Sequence, residues 1–285
     1  MNLNRFRKKL IIAKDAGAAN MIYSYLKSKN QSFYCYLKHP ADKIFNQRNF
    51  IRLKNIKNLK QYDLLITGTS VKNKLELTSI LSAKKLGIYS VTFLDHWTNY
   101  KKRFLIKKKI TLPNEIIAFD STSFFLAKKN FNYQIIKKSL KLSKVNNPYF
   151  KIVKNKKKND LLILSSNYDI LRRKRINDKK ILFNFFKKNH LFFKNKKINN
   201  YFLKNHPSEN KKKFISLIKK VKKEFNIDLK VVNKDLKKLT KTIKHVVGYN
   251  SMALVIAKLS GCVTYEIVIS KVKSDIPNYY IKKYI

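Results

Sequence analysis

The feature that most constrains this chain is its alternation of short apolar runs with longer segments of helical period. Runs at 10–13, 33–37, 63–67, 89–94 and 115–119 are too short for buried helices and suit strands covered on both faces of a parallel sheet. Parallel strands need crossover connections, and helices expected over 18–29, 74–86 and 121–129 supply them, the last opening on Ser and Thr residues suited to capping. The pattern restarts with runs at 160–164, 201–204, 229–232, 245–247 and 262–267, separated by helical segments at 179–193, 211–225, 234–241 and 251–259. The expected class is α/β, with a parallel sheet in each half. Between the halves lies NNPYFKIVKNKKKN, polar, lysine-rich and broken by Pro, which places an N-terminal domain over 1–148 and a C-terminal domain over 149–285. At 285 residues, each half is large enough to bury its own core. The closing KSDIPNYYIKKYI is expected to be either a short helix or a tail packed back across the boundary.

Hydrophobic residues make up 44% of the chain, which excludes a disordered polymer even with 28% charged residues. A net charge of +49 would ordinarily point to nucleic acid or an anionic membrane. The cations, however, are mostly Lys, scattered over the whole chain among Asn and Ile, whereas a nucleic-acid reader concentrates Arg in one segment or on one helix face. Nucleic acid is therefore not the expected partner. Scattered Lys does suit loose attachment to acidic headgroups. Cys35 and Cys262 stand far apart in apolar surroundings and read as reduced core residues. No Asp-x-Asp motif or His cluster offers a preformed metal site. The apolar run in MNLNRFRKKLIIAK is too short for a signal peptide, and no stretch reaches the length of a membrane span. A cytoplasmic location is expected, with peripheral attachment to the inner face of the plasma membrane open to it.

Ligands of open parallel sheets bind beyond the carboxyl ends of the strands, so the residues after each run carry the functional expectation. Asp15-Ala16-Gly17-Ala18-Ala19-Asn20 is a small-residue loop with room for a substrate, in which Asp15 is either a general base or a helix N-cap. Gly17, Gly68 and Gly248 stand at strand-to-helix turns, where a missing Cβ either lets a ligand approach or makes a tight turn. Thr69 and Ser70, with Glu76, form a further wall. TFLDHWTNYKKRF offers Asp95 as a general base or as the partner that orients His96, and Trp97 and Tyr100 as rings to stack on a sugar or to fill a core. In the second half, FLKNHPSE sets His206 at a strand end, with Pro207 fixing the turn. That imidazole can donate to a phosphate oxygen, aided by the amides of Ser208 and Glu209. HVVGYNSMALVIAKLSGCVTYE places Asn250 and Ser251 at the start of a helix, where Ser251 either holds an anion or caps. Ser165 and Ser166 follow the 160–164 run, and Glu266 either accepts from a ribose hydroxyl or is buried against a Lys.

Together these residues resemble the GT-B glycosyltransferase superfamily, which includes UDP-N-acetylglucosamine 2-epimerase, and within it the bacterial sialyl- and polysialyltransferase-type enzymes and their CDP-glycerol-using relatives. Those sialyltransferases carry an acidic-acidic-Gly motif in the first domain, a His-Pro motif in the second and a Ser-rich motif after it. The matches here are Asp15-Ala16-Gly17, His206-Pro207 and Asn250-Ser251, with Ala16 in place of the second carboxylate and one Ser in place of a pair. The resemblance implies two Rossmann-like parallel-sheet domains facing a central cleft, donor binding in the second, acceptor binding in the first, and no obligatory metal or other cofactor. The expected function is transfer of a sugar from a nucleotide-sugar co-substrate to a cell-surface polysaccharide or lipid-linked glycan. Donor phosphates would lie against His206, Ser251 and the amides after Ser165-Ser166, while Asp15 or Asp95 takes the acceptor's proton. The alternatives are a nucleotide-sugar epimerase or glycerophosphotransferase on the same fold, and a non-catalytic basic module for nucleic acid or membrane.

Overall fold

The computed structural model describes residues 2–70, 74–146, 148–150, 156–165, 177–206, 211–270, 274, 276–281 and 283–284. The chain divides into two compact units, Met1–Tyr149 and Phe150–Ile285.

In the first unit the apolar runs become parallel strands: β1 (Lys9–Ala13), β2 (Phe33–Leu37), β3 (Phe50–Arg52), β4 (Leu64–Thr67), β5 (Tyr89–Phe93), β8 (Glu115–Ala118) and β9 (Lys141–Lys144). Their order in the sheet is β3-β2-β1-β4-β5-β8-β9, parallel throughout. Every residue of β1, β4 and β8 is buried, as the unbroken apolar runs require of strands covered on both faces. Crossovers are made by α1 (Ala16–Leu26), α2 (Leu75–Lys85), the short α3 (Tyr100–Arg103) and α4 (Ser121–Ile136). A two-stranded antiparallel hairpin, β6 (Leu105–Ile106) and β7 (Lys109–Ile110), follows α3. Ile11, Ile22, Phe33, Ile66, Val91 and Phe93 anchor the core, each contributing about 1.5–3 kcal/mol by burial.

The second unit repeats the plan with β10 (Lys158–Leu164), β11 (Tyr201–Lys204), β12 (Leu229–Val231), β13 (Ile243–Gly248), β14 (Val263–Glu266) and β15 (Lys283–Tyr284), parallel in the order β12-β11-β10-β13-β14-β15. Its helices are α5 (Asp178–Asn195), α6 (Ile215–Phe225), α7 (Leu236–Thr242) and α8 (Met252–Leu259). Leu161, Phe186, Phe193, Phe214 and Tyr249 fill the core. Numbered within each unit, both sheets contain the order 3-2-1-4-5-6 of a Rossmann fold. The reversal of strand order falls between β1 and β4 in the first unit and between β10 and β13 in the second.

Three short elements were not expected from periodicity. β3, β9 and the β6–β7 hairpin carry exposed Lys, Arg or Ile residues, so no apolar alternation marks them. The closing segment contains the short helix that was one expectation for it, a single 3-10 turn at Asn278–Tyr280, and Lys283–Tyr284 beyond it form β15 at the edge of the second sheet. Ile276, Tyr280 and Ile281 are buried, and Thr264 Oγ1 donates to the Tyr280 carbonyl at 3.0 Å, which ties the segment to β14.

Candidate active site

The reversal point of the first sheet gathers most of the polar residues singled out in that half. Asp15 begins the turn after β1, Thr69 and Ser70 follow β4, and Asp95 follows β5. Asp15 stands at the N-cap position of α1, yet its side chain makes no cap; it bonds instead to Ser70. Asp95 Oδ1 accepts from Thr69 Oγ1 at 3.1 Å and from an Arg103 guanidinium nitrogen at 2.9 Å. Arg103 is itself buried and locked, donating to Thr69 Oγ1 at 2.8 Å and to the Thr98 carbonyl at 2.9 Å. Sequence reasoning missed Arg103. The signal available was an Arg in a Lys-dominated chain, placed within reach of Asp95 by the tight turn before α3.

Gly17 and Gly68 serve this packing, the tight-turn alternative of the two their missing Cβ atoms allowed. A Cβ on Gly17 would sit 2.6 Å from Asp95 Oδ2, so glycine alone lets the first turn of α1 close on that carboxylate. A Cβ on Gly68 would collide with the Ala18 methyl. The positive end of α1 thereby faces a carboxylate it favours. Asn20 turns its amide back to the Ala16 carbonyl at 2.8 Å, within its own helix.

Burial raises the Asp15 carboxyl above its ordinary range, reinforced by Asp95 and opposed by the Ser70 hydrogen bond and Arg103. Asp15 is half-buried, so it keeps a path to solvent or substrate. Asp95 is held in an ion pair, and His96 is set by other groups: its Nδ1 accepts from the Trp97 N–H at 3.0 Å and lies 3.2 Å from Thr98 Oγ1, which puts the proton of the neutral ring on Nε2. Trp97 and Tyr100 do not offer faces to a sugar. Trp97 is 4% exposed, packs edge-on against Phe119 and donates Nε1–H to Asp120 at 3.0 Å; Tyr100 is 3% exposed. Both rings are core, because their bulk covers the base of α4.

In the second unit, Ser165 follows β10 and His206 follows β11, and Ser165 Oγ accepts from the His206 N–H at 2.9 Å. The turn after β13 carries Asn250, whose φ is 40°, and Ser251, which caps α8 by accepting from the Ala253 N–H at 3.3 Å. Glu266 is buried at the end of β14; Oε1 accepts from the Asn250 N–H at 2.9 Å and from Ser274 Oγ at 2.7 Å. Both contacts brace the Asn250 turn. Ser166, Pro207 and Ser208 lie outside the described residues. Among the described residues no cluster of three or more His, Cys, Asp and Glu could hold a metal ion. Cys35 and Cys262 are free and buried, as their apolar context foretold.

Solved structures share this architecture. UDP-GlcNAc 2-epimerase of Methanocaldococcus jannaschii, solved with UDP-GlcNAc and UDP, superposes with a TM-score of 0.58 over 91% of this chain and 83% of its own, at 12% identity. The S. aureus MnaA–UDP structure gives 0.60 over 91% and 79%, at 11% identity. The chain has a GT-B-type fold. MurG of Acinetobacter baumannii gives 0.50 over 93% and 80%, at 8% identity. No protein-family model and no curated protein sequence matches the chain.

Proposed function

We propose that this GT-B-type chain is a metal-independent glycosyltransferase that moves a sugar from a nucleotide donor to a hydroxyl of a cell-surface polysaccharide or lipid-linked glycan. The observation that carries the proposal is Asp15. It is a half-buried carboxyl at the strand-order reversal, raised in pKa, and freed from helix capping by its bond to Ser70. A carboxyl so tuned is suited to take the acceptor's proton near neutral pH. Asp95, bound to Arg103, is the less available base. Arg103 and the α1 N-terminus leave the site electrostatically balanced around Asp95, so proton uptake falls to Asp15. In the second unit, His206 and the Ser251 end of α8 lie beyond the carboxyl ends of β11 and β13, where a donor's phosphates are held in Rossmann folds.

A nucleotide-sugar epimerase is the second reading, favoured by the likeness to structures named for that activity. Product analysis separates the two, since an epimerase needs no acceptor. The sialyltransferase-type donor preference rests on the short motifs around Asp15, His206 and Ser251. Attachment to the inner membrane face is supported by α4, which buries Ser123, Ala127 and Phe131 and leaves Phe125, Tyr133 and Ile136 more than 60% exposed beside Lys128, Lys129 and Lys137. Such a basic and aromatic face complements an anionic lipid surface.

The test is turnover of CMP-, CDP-, UDP- and GDP-sugars with thermal-shift binding of the same compounds. Asp15→Asn should lower turnover by roughly a hundred- to ten-thousandfold while donor binding persists. His206→Ala should weaken donor stabilisation or turnover by roughly ten- to a thousandfold. Full activity in Asp15→Asn would end the proposal.

A further inference from the structure

The turn that presents Asp15 is held from outside itself. Glu76, in the first turn of α2, is 2% exposed. Its Oε1 accepts from the Lys14 N–H at 2.9 Å, and its Oε2 is buried without a hydrogen-bond partner among the described residues. Three carboxyls, those of Asp15, Glu76 and Asp95, thus share one edge of the sheet. Arg103 is committed to Asp95, Thr69 and the Thr98 carbonyl. The elements packed on α2 are β1, β4, β5 and β6. Their charged residues, with the adjoining turns, are Lys8 and Lys9 at the opposite end of β1, Lys14 and Asp15 after β1, Asp63 before β4, Asp95 after β5, and Lys107 and Lys108 after β6. Lys74, just before α2, turns its ammonium to the Leu105 carbonyl at 3.1 Å.

A buried carboxylate with one oxygen unsolvated and unpartnered is costlier than a neutral acid with one unsatisfied hydroxyl. Burial disfavours the charged form of Glu76 and is the largest influence on it; hydrogen bonds from its own backbone N–H and that of Lys14 oppose the shift, and the neighbouring Asp15 and Asp95 add to it, leaving the carboxyl raised. We propose that Glu76 is a positioning residue that works as a neutral acid, with its proton on Oε2, while Oε1 anchors the Lys14 amide and fixes the turn that presents Asp15. A neutral Glu76 adds no second anion beside Asp15, which leaves that carboxyl able to ionise and accept a proton. The kinetic consequence rests on the proposed role of Asp15; the protonation state and the anchoring do not.

The experiment uses the full-length protein with Glu76→Gln and Glu76→Ala. An infrared difference spectrum of wild type minus Glu76→Gln at neutral pH should contain the carbonyl band of a neutral carboxylic acid, and carboxylate bands alone would overturn the assignment. In Glu76→Ala the Lys14 amide should lose its protection from hydrogen exchange, and kcat should fall by roughly ten- to a hundredfold with KM nearly unchanged. Glu76→Gln, a neutral isostere with the same acceptor, should restore Lys14 protection and most of kcat. Equal impairment in both variants would overturn the positioning role. If Glu76→Ala does not fold, the Gln variant and the spectrum still decide. Should no nucleotide-sugar be turned over even by wild type, the transferase proposal fails, and the infrared and exchange results judge Glu76 separately.

Discussion

At the scale of single residues, burial disfavours the charged form, and so moves a buried imidazole and a buried carboxyl in opposite directions. His245 on β13 is 5% exposed, with Nδ1 against Tyr265 Oη at 3.1 Å and Nε2 against Asn159 Oδ1 at 2.9 Å. Burial lowers its pKa from 6.5 to about 4, helped by Lys244 and Lys196. Between those values the folded chain holds fewer protons than the unfolded one. Stability is therefore present above pH 6.5 and is lost as pH falls towards 4, by about 3 kcal/mol in all. Urea midpoints measured across that window should fall for wild type and fall less for His245→Gln; parallel curves would contradict the argument. Asp15 and Glu76 have the reverse sign. With folded pKa values raised, they favour the folded state at low pH and cost stability as pH rises. Asp15→Asn should accordingly hold or raise the Tm while turnover collapses, which separates lost chemistry from lost folding.

The elements show how one residue can serve both a helix and the loop beside it. Asp120 caps α4 by accepting from the Ser123 N–H at 2.6 Å, and Ser123 Oγ accepts in return from the Asp120 N–H at 3.0 Å. The same carboxylate receives the Trp97 indole N–H, so the cap also seats the loop that follows β5. Asp120→Ala should cost about 1–2 kcal/mol, with the second lost bond placing it towards the upper end. Chemical denaturation gives the stability, and Trp97 fluorescence reports the seating, since the ring should become more exposed. An unchanged Trp97 spectrum would mean that packing against Phe119 alone holds the ring.

For the molecule as a whole, the governing number is the charge of +49. So many like charges repel one another in the compact state, and salt screens them over about 10 Å at 0.1 M. The Tm should therefore rise between about 0.02 and 0.3 M salt, whereas a protein held mainly by ion pairs would lose stability. Binding to anionic vesicles should weaken over the same range, and neutral vesicles should bind little. Replacing Phe125, Tyr133 and Ile136 with Ser should reduce anionic-vesicle binding by roughly tenfold or more, given about 1.5–3 kcal/mol for each large apolar side chain transferred in full. An unchanged affinity would mean that charge alone, from any face, holds the protein on lipid.

The sequence by itself determined the class and the plan. Parallel strands buried on both faces need unbroken apolar runs, so β1, β4, β8 and β10 were legible as runs, and their crossover helices as the periodic segments between them. It also put Asp15, Thr69, Ser70 and Asp95 at strand ends, because chain position alone fixes which residues follow a strand. Tertiary structure alone decided what those residues do. Arg103, not His96, partners Asp95 because the turn before α3 folds back on Thr69; Trp97 and Tyr100 are core because α4 packs over them. Glycines that could have admitted a ligand instead admit Asp95 and Ala18. β3, β9 and β15 stayed hidden because edge strands, covered on fewer sides, need no apolar pattern to join a sheet.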